Sequence, residues 1–189
     1  MSVYEEEIWQ SLPEDRGEPP PHLQQWLSGL PRARRALDLG CGDGWLTLHI
    51  PAEEVVGADP SWTALDRART RLPDARLVPV PVDGRLVLED GGFDLVVMTE
   101  VLQHVRDVQL LLSEARRVLE PGGRLAVSAP ANNRAGALKL FLRGWFIDPM
   151  SPVVRFFSMP SLRACLEEMG FDVEAADSRR GSLLVTATR

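Results

Sequence analysis

Acids and glycines share one short stretch of this chain, residues 36–44, Ala-Leu-Asp-Leu-Gly-Cys-Gly-Asp-Gly. Gly40, Gly42 and Gly44 fall at alternate positions, after a run that reads as a strand and before one that reads as a helix. Glycine turns the chain at positive φ and lets a ligand approach the backbone with no Cβ in the way. Three of them at such a junction predict a tight loop at the carboxyl edge of a sheet, where open α/β folds bind ligands. A dinucleotide-binding loop spaces its glycines G-x-G-x-x-G and seats a pyrophosphate on the helix N-terminus. Here the third glycine comes one residue early, and Asp38 stands two residues before the first. An acid there opposes a phosphate and suits a cationic ligand. A glycine-rich turn with no ligand is the plainer alternative.

A second acid, Asp59, lies nineteen positions after Gly40, at the end of the next expected strand. An acid about 20 residues past a glycine loop accepts from ribose hydroxyls, and one carboxylate can take both hydroxyls of a cis-diol. The competing reading is a turn acid before Pro60-Ser61. Asp83-Gly84 follows the third expected strand, where an acid before glycine is also a common turn. Thr99-Glu100-Val101 closes the fourth strand, and His104 follows three residues later.

Residues 36–44 resemble the first motif of class I S-adenosylmethionine-dependent methyltransferases, an acid followed by x-Gly-x-Gly-x-Gly. Two further segments resemble the group of that family that includes the quinone-biosynthesis (type 11) enzymes. One is Phe93-Asp94-Leu95-Val96 followed by Glu100-Val101-Leu102-Gln103-His104-Val105. The other is residues 117–125, Arg-Val-Leu-Glu-Pro-Gly-Gly-Arg-Leu. The likeness covers residues 33–129 closely and 158–188 by pattern. It implies S-adenosyl-L-methionine as cofactor, which has an ammonium and a sulfonium but no phosphate, and S-adenosyl-L-homocysteine as product. It assigns cofactor binding to Asp38, Gly40, Cys41, Gly42 and Gly44, and the ribose to Asp59 with Pro60. Asp83 and Gly84 stand where the adenine amino group is met, and Thr99, Glu100 and Val101 lie against the methionine part. It also implies an α/β fold, a Rossmann-like doubly wound sheet of about seven strands. The sheet is mostly parallel, with one antiparallel strand in a C-terminal hairpin and the order 3-2-1-4-5-7-6.

The 189 residues suffice for one domain with a sizeable core. With 44% hydrophobic and 25% charged residues the composition is that of a soluble globular protein. Net charge is −6, which argues against a general nucleic-acid partner. Cys41 and Cys165 are far apart in sequence, without metal-ligand spacing, so neither a disulfide framework nor a metal site is expected and a reducing, cytoplasmic setting fits. No apolar run is long enough to span a bilayer, and the acidic N-terminus does not read as a signal peptide.

The chain divides into an N-terminal flap or helix (1–31), a cofactor-binding core (32–129), a substrate-lining or lid insertion (130–159) and a C-terminal helix and hairpin (160–189). Tyr4, Ile8 and Trp9 share a face of a helical turn, either a surface helix or a flap over the cleft. Helices are expected over 22–30, 44–50, 61–71, 107–119 and 160–169, with a short turn of helix at 86–90. Strands are expected over 35–39, 54–58, 76–81, 93–98, 124–129, 171–177 and 182–187. Residues 120–123 should stop a helix and turn sharply into a strand. Arg67, Arg69 and Arg71 read as a solvated face. The insertion carries Asn132, Trp145, Phe146 and Phe156 and is too apolar for disorder. The resemblance implies that it forms one wall of the substrate site, which Tyr4 and Trp9 also line; the competing reading is a lid helix packed on the sheet or a dimer contact.

Methyl transfer asks for an in-line nucleophile and a dry site, with a base where the nucleophile carries a proton. His104 is the candidate base, because His22 and His49 are expected away from this edge. The reading is a methyltransferase acting on an O, N or C atom of a small-molecule acceptor, as a monomer or homodimer. An RNA- or protein-modifying enzyme, or a non-catalytic cofactor-binding module, is the alternative.

Overall fold

The computed structural model describes residues 3–81, 84–131 and 156–189. Helices α1 (Val3–Ser11) and α2 (Pro21–Ser28) precede strand β1 (Ala33–Leu39). There follow β2 (Ala52–Asp59), α3 (Trp62–Arg71), β3 (Arg76–Pro79), β4 (Phe93–Thr99), α4 (Val108–Val118), β5 (Leu119–Pro130), α5 (Met159–Glu168), β6 (Asp172–Arg179) and β7 (Ser182–Thr188). They build one sheet in the order β3-β2-β1-β4-β5-β7-β6, as expected. Every neighbouring pair is parallel except the two made by β7. The β6–β7 turn is two residues, Arg180 (φ 50°) and Gly181 (φ 91°). Positive φ at both central positions is the turn whose twist matches a hairpin.

Alternation along the strands sorts side chains onto two faces. One face carries Leu37, Leu39, Val96, Met98, Leu125, Val127, Leu183 and Val185 and is covered by α4 and α5. The other carries Ala36, Leu95, Val97 and Ala126, packed under Leu27 of α2 and Leu30. The helices are amphipathic to match. α4 buries Val108, Leu112, Ala115 and Val118, and its N-cap Asp107 accepts from the Leu110 N–H at 2.9 Å. α2 starts with proline at its first position, where no N–H is needed.

Four local expectations are corrected. In place of a helix over 44–50 the chain makes turns and one 3₁₀ turn, Thr47–His49. Asp43 takes the Trp45 N–H and Pro51 closes the far end, so too few residues remain to nucleate a helix. Residues 86–90 form no helix. The Leu86 N–H goes to the Glu114 carboxylate at 2.7 Å, and Arg117 takes the carbonyls of Leu86 and Leu88. Residues 120–123 belong to β5, which begins directly at Leu119; a register shift against β4 absorbs Gly122 at φ 77°. Lastly, Arg67 and Arg71 are not simply solvated: Arg67 donates to the Leu12 carbonyl at 3.0 Å, and Arg71 pairs with Asp43 at 2.8 Å.

Glu114 and Arg117 thus replace a missing helix as the fastening of the β3–β4 connection. Glu114→Ala leaves the Leu86 N–H without its acceptor and takes one carboxylate from the mostly buried Arg117 guanidinium, which keeps Asp90. It should lower unfolding free energy by about 2 kcal/mol, read from urea denaturation. Glu120→Ala, a surface partner of Arg34, should change it by less than about 0.5 kcal/mol.

Candidate active site

At the carboxyl ends of the strands the α2 face changes character. Asp59 on β2, Asp38 on β1, Thr99 on β4, Ser128 on β5 and Ser182 on β7 follow the apolar layer on that face, by alternation and register. The opposite face stays apolar to its end, through Leu39, Met98 and Ala129. A polar row on one side only makes that side the candidate for a ligand.

The glycine loop caps the row at β1. Gly40 and Cys41 donate their N–H groups to the Ala58 carbonyl at 2.7 and 3.1 Å. Gly40 has φ 85°, and a Cβ there would stand 2.4 Å from Val101 Cγ2, so the loop and the end of β4 are in close contact. Gly42, at φ 56°, lies under the Trp9 ring, 2.6 Å from the place of a Cβ. Gly44 is held by packing, since a Cβ would stand 2.5 Å from Leu72 Cδ1 of α3. Asp59 is buried, and its two oxygens accept from the Gly42 N–H at 2.8 Å and the Ser61 N–H at 2.9 Å. Asp38 is also buried and accepts from the Thr47 hydroxyl at 2.6 Å. Burial pushes its carboxyl up to about 7, against the Thr47 hydrogen bond and with a smaller push from Asp59. Burial, with Asp38 and Asp59 nearby, holds the Cys41 thiol well above its ordinary range, so it is not a nucleophile.

At the end of β4, Glu100 adopts φ 58°, a left-handed conformation that non-glycine residues seldom take. Its N–H donates to Ser128, and its carboxylate accepts from the Ser128 hydroxyl at 2.9 Å. Burial raises the Glu100 carboxyl above the usual range, with the Ser128 bond opposing. The buried Gln103 amide donates to the Glu100 carbonyl at 2.8 Å. Thr99 Oγ1 and Gln103 Oε1 are buried with no hydrogen-bond partner among the described residues. His104 sits exposed on the turn after β4, its N–H on the Val101 carbonyl.

The N-terminal segment lies over this loop. Glu6 caps α3 from outside, accepting from the Trp62 and Thr63 N–H groups at 3.1 Å and from the Ser61 hydroxyl at 2.8 Å. Arg16 stacks between the rings of Trp9 and Trp45, at 5.2 and 4.4 Å, and pairs with the buried Asp43. Asp43, missed in the sequence, is therefore structural; its partners Arg16 and Arg71 are too distant in sequence to be foreseen.

Of the expected site residues, the structure brings together Asp38, Gly40, Cys41, Gly42, Gly44, Asp59, Thr99, Glu100, Val101 and Trp9. Pro60 follows Asp59, half-buried, and Gly84 lies within the β3–β4 connection. Tyr4 is in α1. Phe156 is half-buried beside Phe157, which bridges to Ala131. Asp83, Asn132, Trp145 and Phe146, with most of the 130–159 insertion, lie outside the described residues. One expectation is overturned: His22 is not remote from this edge. α2 runs antiparallel to the strands, and its first turn brings His22 Nε2 within 3.1 Å of Ser182 Oγ at the end of the row. Among the described residues no cluster of three or more His, Cys, Asp or Glu is placed to hold a metal, and no helix is long and apolar enough to cross a membrane.

A seven-stranded sheet with β7 reversed, and a glycine loop framed by acids at its carboxyl edge, define the class I methyltransferase fold. The family described as "Methyltransferase domain" matches residues 14–176, and the chain belongs to it. A ubiquinone biosynthesis O-methyltransferase of Rhizobium etli is 37% identical over 116 residues, 57% of this chain and 46% of that protein. A trans-aconitate 2-methyltransferase of Variovorax paradoxus is 38% identical over 107 residues, 54% of this chain and 41% of that protein. The chain thus spans less than half the length of these curated relatives. A Thermotoga maritima structure described as an S-adenosylmethionine-dependent methyltransferase, possibly of histamine, superposes with TM-score 0.72 at 21% identity, over 88% of this chain and 86% of that one. At that identity the likeness is one of fold.

The raised carboxyl of Asp38 has a thermodynamic consequence. Its folded-state value lies above the unfolded one, so its contribution favours folding below about 4 and is lost as pH rises to about 7. The difference in melting temperature between Asp38→Asn and the parent, without cofactor, should therefore shift in favour of the variant across that window and stay level above it. Calorimetric scans in a pH series check this.

Proposed function

We propose that the protein transfers a methyl group from S-adenosylmethionine to a small-molecule acceptor. The observation that carries this reading is the packing of Gly40 against Val101, which brings the acid-flanked loop onto the end of β4. The donor set fits the cofactor. Asp38, Asp59 and Glu100 suit a ligand with an ammonium and a sulfonium, and Thr99 Oγ1 and Gln103 Oε1 are buried atoms without a partner among the described residues. A phosphate-bearing dinucleotide fits less well, for the acids would repel it.

In this reading Asp59, with Pro60 behind it, holds the ribose hydroxyls, and Asp83 with Gly84 meets the adenine. Asp38 and the Thr99–Val101 backbone take the methionine part, with Gly40, Cys41, Gly42 and Gly44 leaving room for it. Bound there, the cofactor supplies an activated methyl group with a neutral leaving group. The protein's share is orientation and exclusion of water. Tyr4, Trp9, Asn132, Trp145, Phe146 and Phe156 are the proposed lining of the acceptor end. His104, exposed at the mouth, assists there. The relatives named for ubiquinone and trans-aconitate methylation both act on small molecules, which supports an acceptor of that kind.

Isothermal calorimetry tests the cofactor. S-adenosylhomocysteine should bind and NAD should not. Asp59→Ala should weaken binding by about 30-fold or more, the worth of hydrogen bonds to a charged acceptor. Unchanged affinity in that variant removes Asp59 from the ribose.

A further inference from the structure

Arg16 and Arg71 both pair with Asp43, so the cations of the glycine loop go to one of its buried acids. Asp38 forms no salt bridge among the described residues and takes the Thr47 hydroxyl at 2.6 Å. Asp59 on β2 bears on it with a like charge, and the Cys41 thiol of the loop lies near both. Register sets what stands beyond it on the α2 face. Asp38 pairs with Val97 of β4, so Thr99, two residues on, is the next β4 side chain on that face. Thr99 Oγ1 is buried with no hydrogen-bond partner among the described residues. Gln103 is only 3% exposed; its amide N–H donates to the Glu100 carbonyl at 2.8 Å, while its Oε1 has no partner among those residues. Glu100, on the Ser128 hydroxyl at 2.9 Å, is the next carboxyl along the edge. The basic groups of this edge, His22 and Arg180, stand at its β7 end, three strands from Asp38. Acids and unmet acceptors therefore gather at β1 and β4 without a protein cation to answer Asp38. Burial pushes its carboxyl up to about 7, against the Thr47 bond and with a smaller push from Asp59.

We propose that Asp38 distinguishes the methyl donor from its demethylated product through a proton: the carboxyl releases one when a sulfonium binds beside it and regains one when the methyl group has left. This rests on the methyltransferase reading given above. Donor and product share an α-ammonium and a carboxylate, so those groups cancel in a comparison. They differ by one methyl group and one positive charge on sulfur. In transfer the S–CH₃ bond breaks, its electron pair stays on sulfur as a neutral thioether, and the methyl carbon bonds to an electron pair of the acceptor. The edge has then lost one positive charge, and a proton from solvent restores it on Asp38. An opposite charge within about 4–6 Å shifts a carboxyl's proton equilibrium about ten-fold or more toward the charged form. Without ligand the Asp38 carboxyl titrates near 7, and with the donor bound it titrates lower. Preference for donor over product therefore grows as pH rises through that window and is level above it. Below the window the protonated carboxyl no longer favours the cation, and the two ligands bind alike.

The test is calorimetry of S-adenosylmethionine and S-adenosylhomocysteine on the parent, Asp38→Asn and Thr47→Val between about pH 5 and 7.5. Two buffers of different ionisation enthalpy let protons be counted with the heat. In the parent the preference for S-adenosylmethionine should rise about ten-fold across that range. Near pH 6 its binding should release about half a proton more than binding of S-adenosylhomocysteine does. Asp38→Asn should hold the preference level and lose the extra proton. Thr47→Val removes a bond that favours the charged carboxyl, so the rise should move to higher pH. A variant that only loosened the fold would weaken both ligands alike and leave the midpoint in place. A level preference in the parent overturns the proposal and leaves the methyltransferase reading standing. A rise that survives in Asp38→Asn overturns it too, and assigns the proton to another carboxyl such as Glu100. So does a midpoint that Thr47→Val leaves unmoved, which decides the matter if Asp38→Asn binds neither ligand. If the parent binds neither ligand, the methyltransferase reading itself falls and this inference falls with it.

Discussion

A carboxylate taken out of water must find partners for its lone pairs or give up its charge. This fold buries three of them, Asp38, Asp43 and Asp59, in and beside one nine-residue loop, and each meets the demand differently. Asp43 is neutralised by Arg16 and Arg71, which hold its carboxyl below the usual range. Asp59 is met by the N–H groups of Gly42 and Ser61. Asp38 has the Thr47 hydroxyl and keeps its proton more readily. The shape of the loop follows from these bonds as much as from its glycines. A cation at this edge would relieve the carboxyl that is least provided for.

The same division of labour runs through the rest of the edge. Several contacts hold the scaffold: Glu114 with Arg117 and Leu86, Glu6 with the start of α3, Gly44 against Leu72, and Arg67 with the Leu12 carbonyl, although Arg67 keeps one buried Nη1 without a partner among the described residues. Along the polar row, Thr99 Oγ1 and nearby Gln103 Oε1 have no partner among the described residues, and Glu100 holds a seldom-used backbone conformation. Strain and unmet hydrogen bonds gathered in one place are the mark of a site kept ready for a ligand. The N-terminal segment joins both groups. Glu6 and Arg16 fasten it to the scaffold, and Trp9 then lies on Gly42.

Local departures from expectation share a cause. Side chains distant in sequence satisfied backbone groups that a helix would have used. Asp43 took the Trp45 N–H, and Glu114 and Arg117 took the polar groups of residues 86–88. Propensity read along the chain has no access to such competition.

Read alone, the residues determined the order of strands and helices, because hydrophobic period and glycine punctuation are local signals. They also determined the glycine loop with Asp38 before it and the acid nineteen positions beyond Gly40, because each directly follows or closes an apolar run that reads as a strand. Tertiary structure decided which polar residues share a face. That depends on register, which pairs Thr99 with Ser128 and Pro130 with Ser182. It also decided that Arg71 belongs to Asp43, and that His22 stands 160 positions from Ser182 in sequence yet within hydrogen-bond reach of it. The direction of α2 across the sheet brings them together, and direction is a property of packing that no local run of residues carries.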